Sequence, residues 1–133
     1  MEKEEHVILI VDDEEGLREG LSRLLEDEGY AVECAENAEK ALEIVRKTHI
    51  DLMLTDMRMP GMSGIELLKQ VRKIQEKIGV IILTGYGEIE SYIEAMNFGA
   101  IEYVSKPFKE NELKFIVGKI LNQSTTFANR SES

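Results

Sequence analysis

The sequence predicts an α/β domain built as a doubly wound, five-stranded parallel sheet with helices on both faces. Three observations carry that expectation. Five short apolar, largely β-branched runs alternate with five stretches of helical periodicity, as repeated strand–helix crossovers require. The strongest of these runs are continuously apolar, which suits strands covered on both faces. The chain has 133 residues, 43% hydrophobic and 32% charged, enough for one domain with its own core.

The elements follow in order. Residues 7–11 (VILIV) make the first strand. Leu17, Leu21, Leu24 and Leu25 then recur at helical spacing, and Gly29 supplies a stop. Residues 30–35 read as a second strand, after which Asn37 can cap a helix whose inner face is Ala38, Ala41, Leu42 and Val45. Residues 51–55 give the third strand, followed by the turn chemistry of Pro60-Gly61 and Gly64. Ser63 and Glu66 have the spacing of a capping box and open a helix through Leu67, Leu68, Val71 and Ile74. Residues 80–83 form the fourth strand, and Ile89, Tyr92, Ile93 and Met96 a helical stripe ending at Gly99. Residues 101–105 are the fifth strand, and Leu113, Ile116, Val117, Ile120 and Leu121 stripe the last helix. Beyond Leu121 the composition turns polar and small. The domain is therefore expected over residues 5–121, with 122–133 as a polar linker or tail.

Charge and composition exclude several function classes. With 26 acidic against 16 basic side chains the formal net charge is −10, which argues against direct nucleic-acid binding. Eighteen of the acidic side chains but only 7 of the basic ones fall in residues 1–66. No apolar run approaches the roughly 18 residues of a membrane span, and no secretory signal opens the chain. Cys34 is the only cysteine, which excludes an internal disulfide and suits a reducing, cytoplasmic setting. It is expected to be a small buried residue. Met53, Met57, Met59, Met62 and Met96 read as core and loop packing. His6 and His49 lie at or before strand starts, and no glycine-rich nucleotide loop is present.

Ligands of an open parallel sheet bind beyond the carboxyl ends of its strands. Asp12-Asp13 follow the first strand, Asp56 the third, Thr84 the fourth and Lys106-Pro107 the fifth. Taken singly each has a plain structural account. Asp12 or Asp13 could cap a helix, Asp56 could make an Asx-turn, Thr84 suits a strand, and Lys106 could be a solvated loop residue. All five falling at one sheet edge by chance is the weaker account. Three crowded carboxylates repel, which protonation or a bound cation would relieve, and a hard divalent ion such as Mg²⁺ suits the oxygen ligands while leaving positions open for phosphate oxygens. Thr84 can donate to such an oxygen, Lys106 can neutralise another, and a carboxylate so placed can attack phosphorus to form an aspartyl phosphate.

That order of strand-end residues resembles the receiver domain of two-component response regulators over the whole domain, from Val7 to Leu121. The stretches 55–64 (TDMRMPGMSG) and 84–87 (TGYG) are particularly similar to receivers of NtrC-class transcriptional activators, and Gly99-Ala100, Tyr103 and Lys106-Pro107-Phe108 agree. The resemblance implies a flavodoxin-like, CheY-like fold and a phosphorylation-activated switch rather than an enzyme. It implies Asp56 as phosphoacceptor from a sensor histidine kinase, with Mg²⁺ held by Asp13, Asp56 and the backbone carbonyl of Arg58, and by Asp12 through water. Thr84 and Lys106 would bind phosphoryl oxygens, Tyr103 would be the switch aromatic, and the Lys106-Pro107 bond would be cis. Arg58 and Tyr86 flank the site and are expected to slow dephosphorylation. The face of helix four, strand five and helix five is expected to mediate phosphorylation-dependent homodimerisation and to control a transcriptional output domain lying outside this sequence.

Two features depart from the commonest pattern. Ser63 stands where many receivers carry Asp, and Lys109 where a capping Asp often follows Pro-Phe. Two other readings compete. A phosphohydrolase using an aspartyl phosphate would place a second Asp two residues after the first, where this chain has Arg58. A free-standing receiver would act by docking on a partner.

Overall fold

The computed structural model describes residues 6–85 and 89–132, with side chains described except at 89–91 and 123–132. The elements alternate throughout: β1 (Val7–Val11), α1 (Glu15–Asp27), β2 (Ala31–Ala35), α2 (Ala38–Lys47), β3 (Leu52–Asp56), α3 (Gly64–Ile74), β4 (Gly79–Thr84), α4 (Ile89–Asn97), β5 (Glu102–Ser105) and α5 (Glu110–Glu132). All strand pairs are parallel, in the order β2-β1-β3-β4-β5. The predicted doubly wound sheet is the observed one.

Strand side chains alternate between faces, so each face has its own core. Leu9, Val11, Met53, Val80 and Ile82 pack beneath α2, α3 and α4. Ile8, Ile10, Leu52, Leu54, Ile81 and Leu83 pack beneath α1 and α5. The chain turns from one side of β1 to the other after β2, which leaves a crevice at the carboxyl ends of β1 and β3.

Local signals set the helix starts. Asn37 accepts a hydrogen bond from the Lys40 amide at 2.8 Å, and Ser63 and Glu66 form both bonds of the capping box. At the opposite edge, Asp51 immediately precedes β3, and its Oδ2 accepts from the Val7 amide at 2.8 Å. His49 lies 3.0 Å from the other Asp51 oxygen and His6 3.9 Å from Oδ2, which places both imidazoles away from the acidic strand ends, as expected.

Two expectations need correction. Cys34 is exposed, because β2 is an edge strand whose face is only partly covered at Val32 and uncovered at Cys34. The α4 stripe faces outward: Tyr92, Ile93 and Met96 are 45%, 56% and 37% exposed, while Ala95 is buried. Met96 is therefore not core packing. The residues after Leu121, expected as a polar linker or tail, are helical to Glu132 as a continuation of α5.

Candidate functional site

Asp12 leaves the end of β1 with its backbone tied on both sides. Its amide donates to the Ala35 carbonyl at 3.2 Å, and its carbonyl accepts from Arg18 Nη1 at 2.8 Å. The capping alternative is not realised for this residue, whose side chain instead closes an Asx-type turn ahead of the helix. Oδ1 accepts from the Glu14 amide at 2.9 Å, whereas Oδ2 is buried without a hydrogen-bond partner. The N-cap of α1 is Glu14, whose side chain makes no capping bond.

Asp56 ends β3 beside that oxygen. Met57 donates its amide to the Leu83 carbonyl at 2.8 Å, and the buried Thr55 hydroxyl donates to the Asp56 carbonyl at 3.1 Å. Gly64 lets α3 approach this turn closely, because a Cβ there would lie 2.6 Å from the Asp56 carbonyl oxygen. Lys106, following β5, reaches across the sheet edge. Its Nζ donates to Asp56 Oδ1 at 3.0 Å and lies 3.7 Å from Asp12 Oδ2. The Lys106-Pro107 peptide is cis.

One oxygen from each of Asp12, Asp13 and Asp56 lies within 4.8 Å of the others, the one such group among the described residues. Asp12 is 1% exposed, Asp56 half-buried and Asp13 exposed. Burial pushes the Asp12 carboxyl above its ordinary range, and Asp56 and Asp13 add to the rise against the pull of the Glu14 amide and Lys106. For Lys106, burial works against the charged form. The hydrogen bond and charge of Asp56 outweigh it, so the ammonium is held above its usual value.

An orphaned, buried carboxylate oxygen amid three converging aspartates is a donor set suited to a hard divalent cation. Such a pocket can bring an anionic phosphoryl group against a carboxylate nucleophile, with Lys106 as the protein's own counter-charge.

Thr84 ends β4, buried, and its hydroxyl donates to the Gly85 carbonyl at 3.3 Å. Tyr103 is half-buried and meets Tyr92 edge-on, with ring centroids 5.3 Å apart. Arg58 is exposed on the loop after β3. Tyr86 lies outside the described residues. Arg18 was absent from the sequence-based candidates. The available signal was a cation one turn into α1, whose side chain points back over the acidic loop.

A family model for the response regulator receiver domain matches residues 8–117. Among curated relatives, the sporulation initiation phosphotransferase F of Bacillus subtilis is 46% identical, over 86% of this chain and 92% of its own length. The regulatory protein AtoC of Escherichia coli is 43% identical over 86% of this chain but only 25% of its own length. This chain also matches 57% of the transcriptional regulatory protein FixJ of Bradyrhizobium diazoefficiens, at 32% identity. Among solved structures, a receiver domain protein from Clostridium thermocellum superposes with a TM-score of 0.85 at 35% identity, covering 92% of this chain and 98% of that one. These relatives share no single subclass of regulator. The family match takes in every strand end that contributes to the acidic pocket, and the chain belongs to the response regulator receiver domain family.

Proposed function

We propose that the chain is the phosphorylation-controlled switch of a two-component system, in which Asp56 accepts a phosphoryl group from a phosphohistidine of a sensor histidine kinase. The observation that carries this reading is the convergence of Asp12, Asp13 and Asp56 within 4.8 Å, with Lys106 3.0 Å from Asp56. As in its family, the chain catalyses its own phosphorylation and dephosphorylation rather than turning over a separate substrate.

In the transfer, a carboxylate oxygen of Asp56 forms a bond to phosphorus as the P–N bond to the donor imidazole breaks and the nitrogen keeps the electron pair. Lys106 exchanges its contact with Asp56 Oδ1 for a phosphoryl oxygen. The Thr84 hydroxyl exchanges its long bond to Gly85 for another. Asp13, Asp56 and the Arg58 carbonyl would hold Mg²⁺ directly and Asp12 through water. A bound Mg²⁺ would neutralise charge on the transferring group. Movement of Thr84 frees space for Tyr103, whose contact with Tyr92 carries the change to the face of α4, β5 and α5. On this reading Arg58 and Tyr86 crowd the path of attacking water, so an Arg58→Ala, Tyr86→Ala variant should lose its phosphoryl group faster.

The wider assignment rests on resemblance. Residues 5–121 form the receiver, and 122–133 lead towards an output domain that regulates transcription, as the NtrC-like stretches 55–64 and 84–87 suggest. Phosphorylation drives homodimerisation through the α4–β5–α5 face, in the cytoplasm. Among the described residues no helix is long and apolar enough to cross a membrane. A second reading, a free-standing phosphotransfer protein, is favoured by the match to 92% of the sporulation phosphotransferase. The complete coding sequence separates the two. The core claim is tested by labelling with acetyl phosphate: wild type should label only with Mg²⁺, and Asp56→Ala not at all. Equal labelling of Asp56→Ala would overturn it.

A further inference from the structure

We infer that Arg18 is a positioning residue for phosphotransfer, holding the Asp12 segment in the orientation that presents its second carboxylate oxygen, Oδ2, to the metal site. The inference rests on the phosphoacceptor reading above.

Arg18 lies half-buried one turn into α1, and its side chain runs back towards the helix start, as helical side chains do. The bond from Nη1 to the Asp12 carbonyl, 2.8 Å long, spans six residues and is charge-assisted. It reaches a carbonyl between β1 and α1, outside either ladder. The other restraints on Asp12 are the amide bond to Ala35, the Glu14 amide on Oδ1 and the longer ion pair of Oδ2 with Lys106. Together the hydrogen bonds fix the backbone on both sides of the residue and one of its two carboxylate oxygens. The remaining oxygen, Oδ2, is buried among the acidic neighbours with no hydrogen-bond partner, its nearest cation being Lys106 Nζ at 3.7 Å.

That arrangement is under electrostatic load. Asp13 and Asp56 repel Asp12, and rotating the segment outward would rehydrate its carboxylate. The start of α1 lacks a side-chain cap that would resist such a rotation, since Glu14 makes none. Arg18 supplies the restraint from within the helix. Its planar fork suits this role because little side-chain freedom is lost per bond formed.

The guanidinium also places a positive charge near a cation site, and this second effect has the opposite sign. By charge alone, removing Arg18 relieves repulsion and tightens Mg²⁺ binding. By positioning, removing it lets Asp12 turn away and weakens binding. The direction of the change therefore separates the two.

The test is a calorimetric titration with Mg²⁺ alone, comparing wild type with Arg18→Met, which keeps the aliphatic stem. We expect affinity about tenfold weaker in the variant, the scale seen when outer partners of metal ligands are removed. In acetyl phosphate labelling, the Mg²⁺ concentration for half-maximal rate should rise by a similar factor, while the rate at saturating Mg²⁺ falls far less. A general loss of structure would lower the saturating rate as well, and melting in EDTA monitors the fold directly. Mg²⁺ binding equal to or tighter than wild type overturns the role of Arg18. Wild type that binds no Mg²⁺ overturns the phosphoacceptor reading instead. Should Arg18→Met fail to fold, the guanidinium ¹⁵N resonances of the wild-type protein decide. Restricted rotation of the Arg18 guanidinium supports the restraint, and free rotation overturns it.

Discussion

The helices that follow β3 and β4 both leave a strand ending in a site residue, yet they are held in opposite ways. α3 starts with a complete capping box and a 2.8 Å bond from the Gly64 amide to the Met57 carbonyl, and it buries Ile65, Leu67, Leu68 and Val71. α4 buries Ala95 and turns Tyr92, Ile93 and Met96 outward. Among the described side chains its ties to α3 are largely polar. Lys69 pairs with Glu94 at 3.1 Å and lies 4.5 Å from the centre of the Phe98 ring, and Arg72 donates to the Gly99 carbonyl at 2.6 Å. Exposed ion pairs and cation–π contacts contribute about 0–1 kcal/mol each, against about 3 kcal/mol for a buried leucine. Asp56 thus stands on a firmly packed base. The helix that follows Thr84 is held less firmly through its described side chains.

The widest expected separation is between Leu68→Ala and Ile93→Ala. Leu68 is fully buried, so its truncation should cost about 3 kcal/mol in urea unfolding, while Ile93→Ala should stay within about 0.5 kcal/mol. Equal costs would erase the contrast. Gly64→Ala comes next. Its Cβ would meet the Asp56 carbonyl oxygen at 2.6 Å and the Met57 Cα at 3.1 Å, both backbone atoms that a rotamer change cannot move. We expect a loss of about 2 kcal/mol, together with slower acetyl phosphate labelling because the Asp56 turn is displaced. A fully stable Gly64→Ala that also labels at the wild-type rate would show that the α3 side is less rigid than its packing suggests.

A firm base on the acceptor side also carries an electrostatic cost at Asp12. Its folded-state pKa is raised above the ordinary 3.8, first by burial. A raised carboxyl pKa favours the protonated folded form, so its stabilising contribution is present below the unfolded value and lost as pH rises through the folded one. At neutral pH the ionised group therefore destabilises the metal-free protein. Asp12→Asn in EDTA should be about 1 kcal/mol more stable than wild type at pH 7, with the gain vanishing towards pH 4. Adding Mg²⁺ should reverse the ranking, since the wild type then gains more from binding. A variant less stable than wild type in EDTA at pH 7 would mean that the pairing of Asp12 with Lys106 outweighs its burial.

Most of the acidic edge was legible because strand ends are read from local hydrophobicity, and a parallel sheet sends them all to one side. That rule sends Asp12, Asp13, Asp56 and Lys106 to one edge, and the adjacency of β1 and β3 then sets the three carboxylates within 4.8 Å. Burial on the outer elements was not legible in the same way. Whether Cys34 is covered depends on β2 lying at the sheet edge, which is a property of the whole topology. Periodicity showed that α4 has an apolar face, but not whether a neighbour covers it. Arg18 escaped notice for another reason: its partner is a backbone carbonyl, which leaves no pattern of side-chain types to recognise.

The smallest stability change carries the sharpest functional one. If the exposed α4 stripe is the dimerising face, replacing Ile93 by Ser should leave unfolding within about 0.5 kcal/mol of wild type, because the side chain is 56% exposed. Association should respond differently. Sedimentation of wild type with a beryllofluoride phosphoryl mimic is expected to show a dimer, whereas Ile93→Ser should remain monomeric with the same mimic and still label with acetyl phosphate. Leu68→Ala provides the mirror image, unfolding at lower urea while still dimerising below its transition. Should Ile93→Ser dimerise normally, the apolar stripe would have no part in self-association. A loss of labelling in Ile93→Ser would instead mean that α4 is mechanically joined to the acceptor, contrary to the division between the two helices.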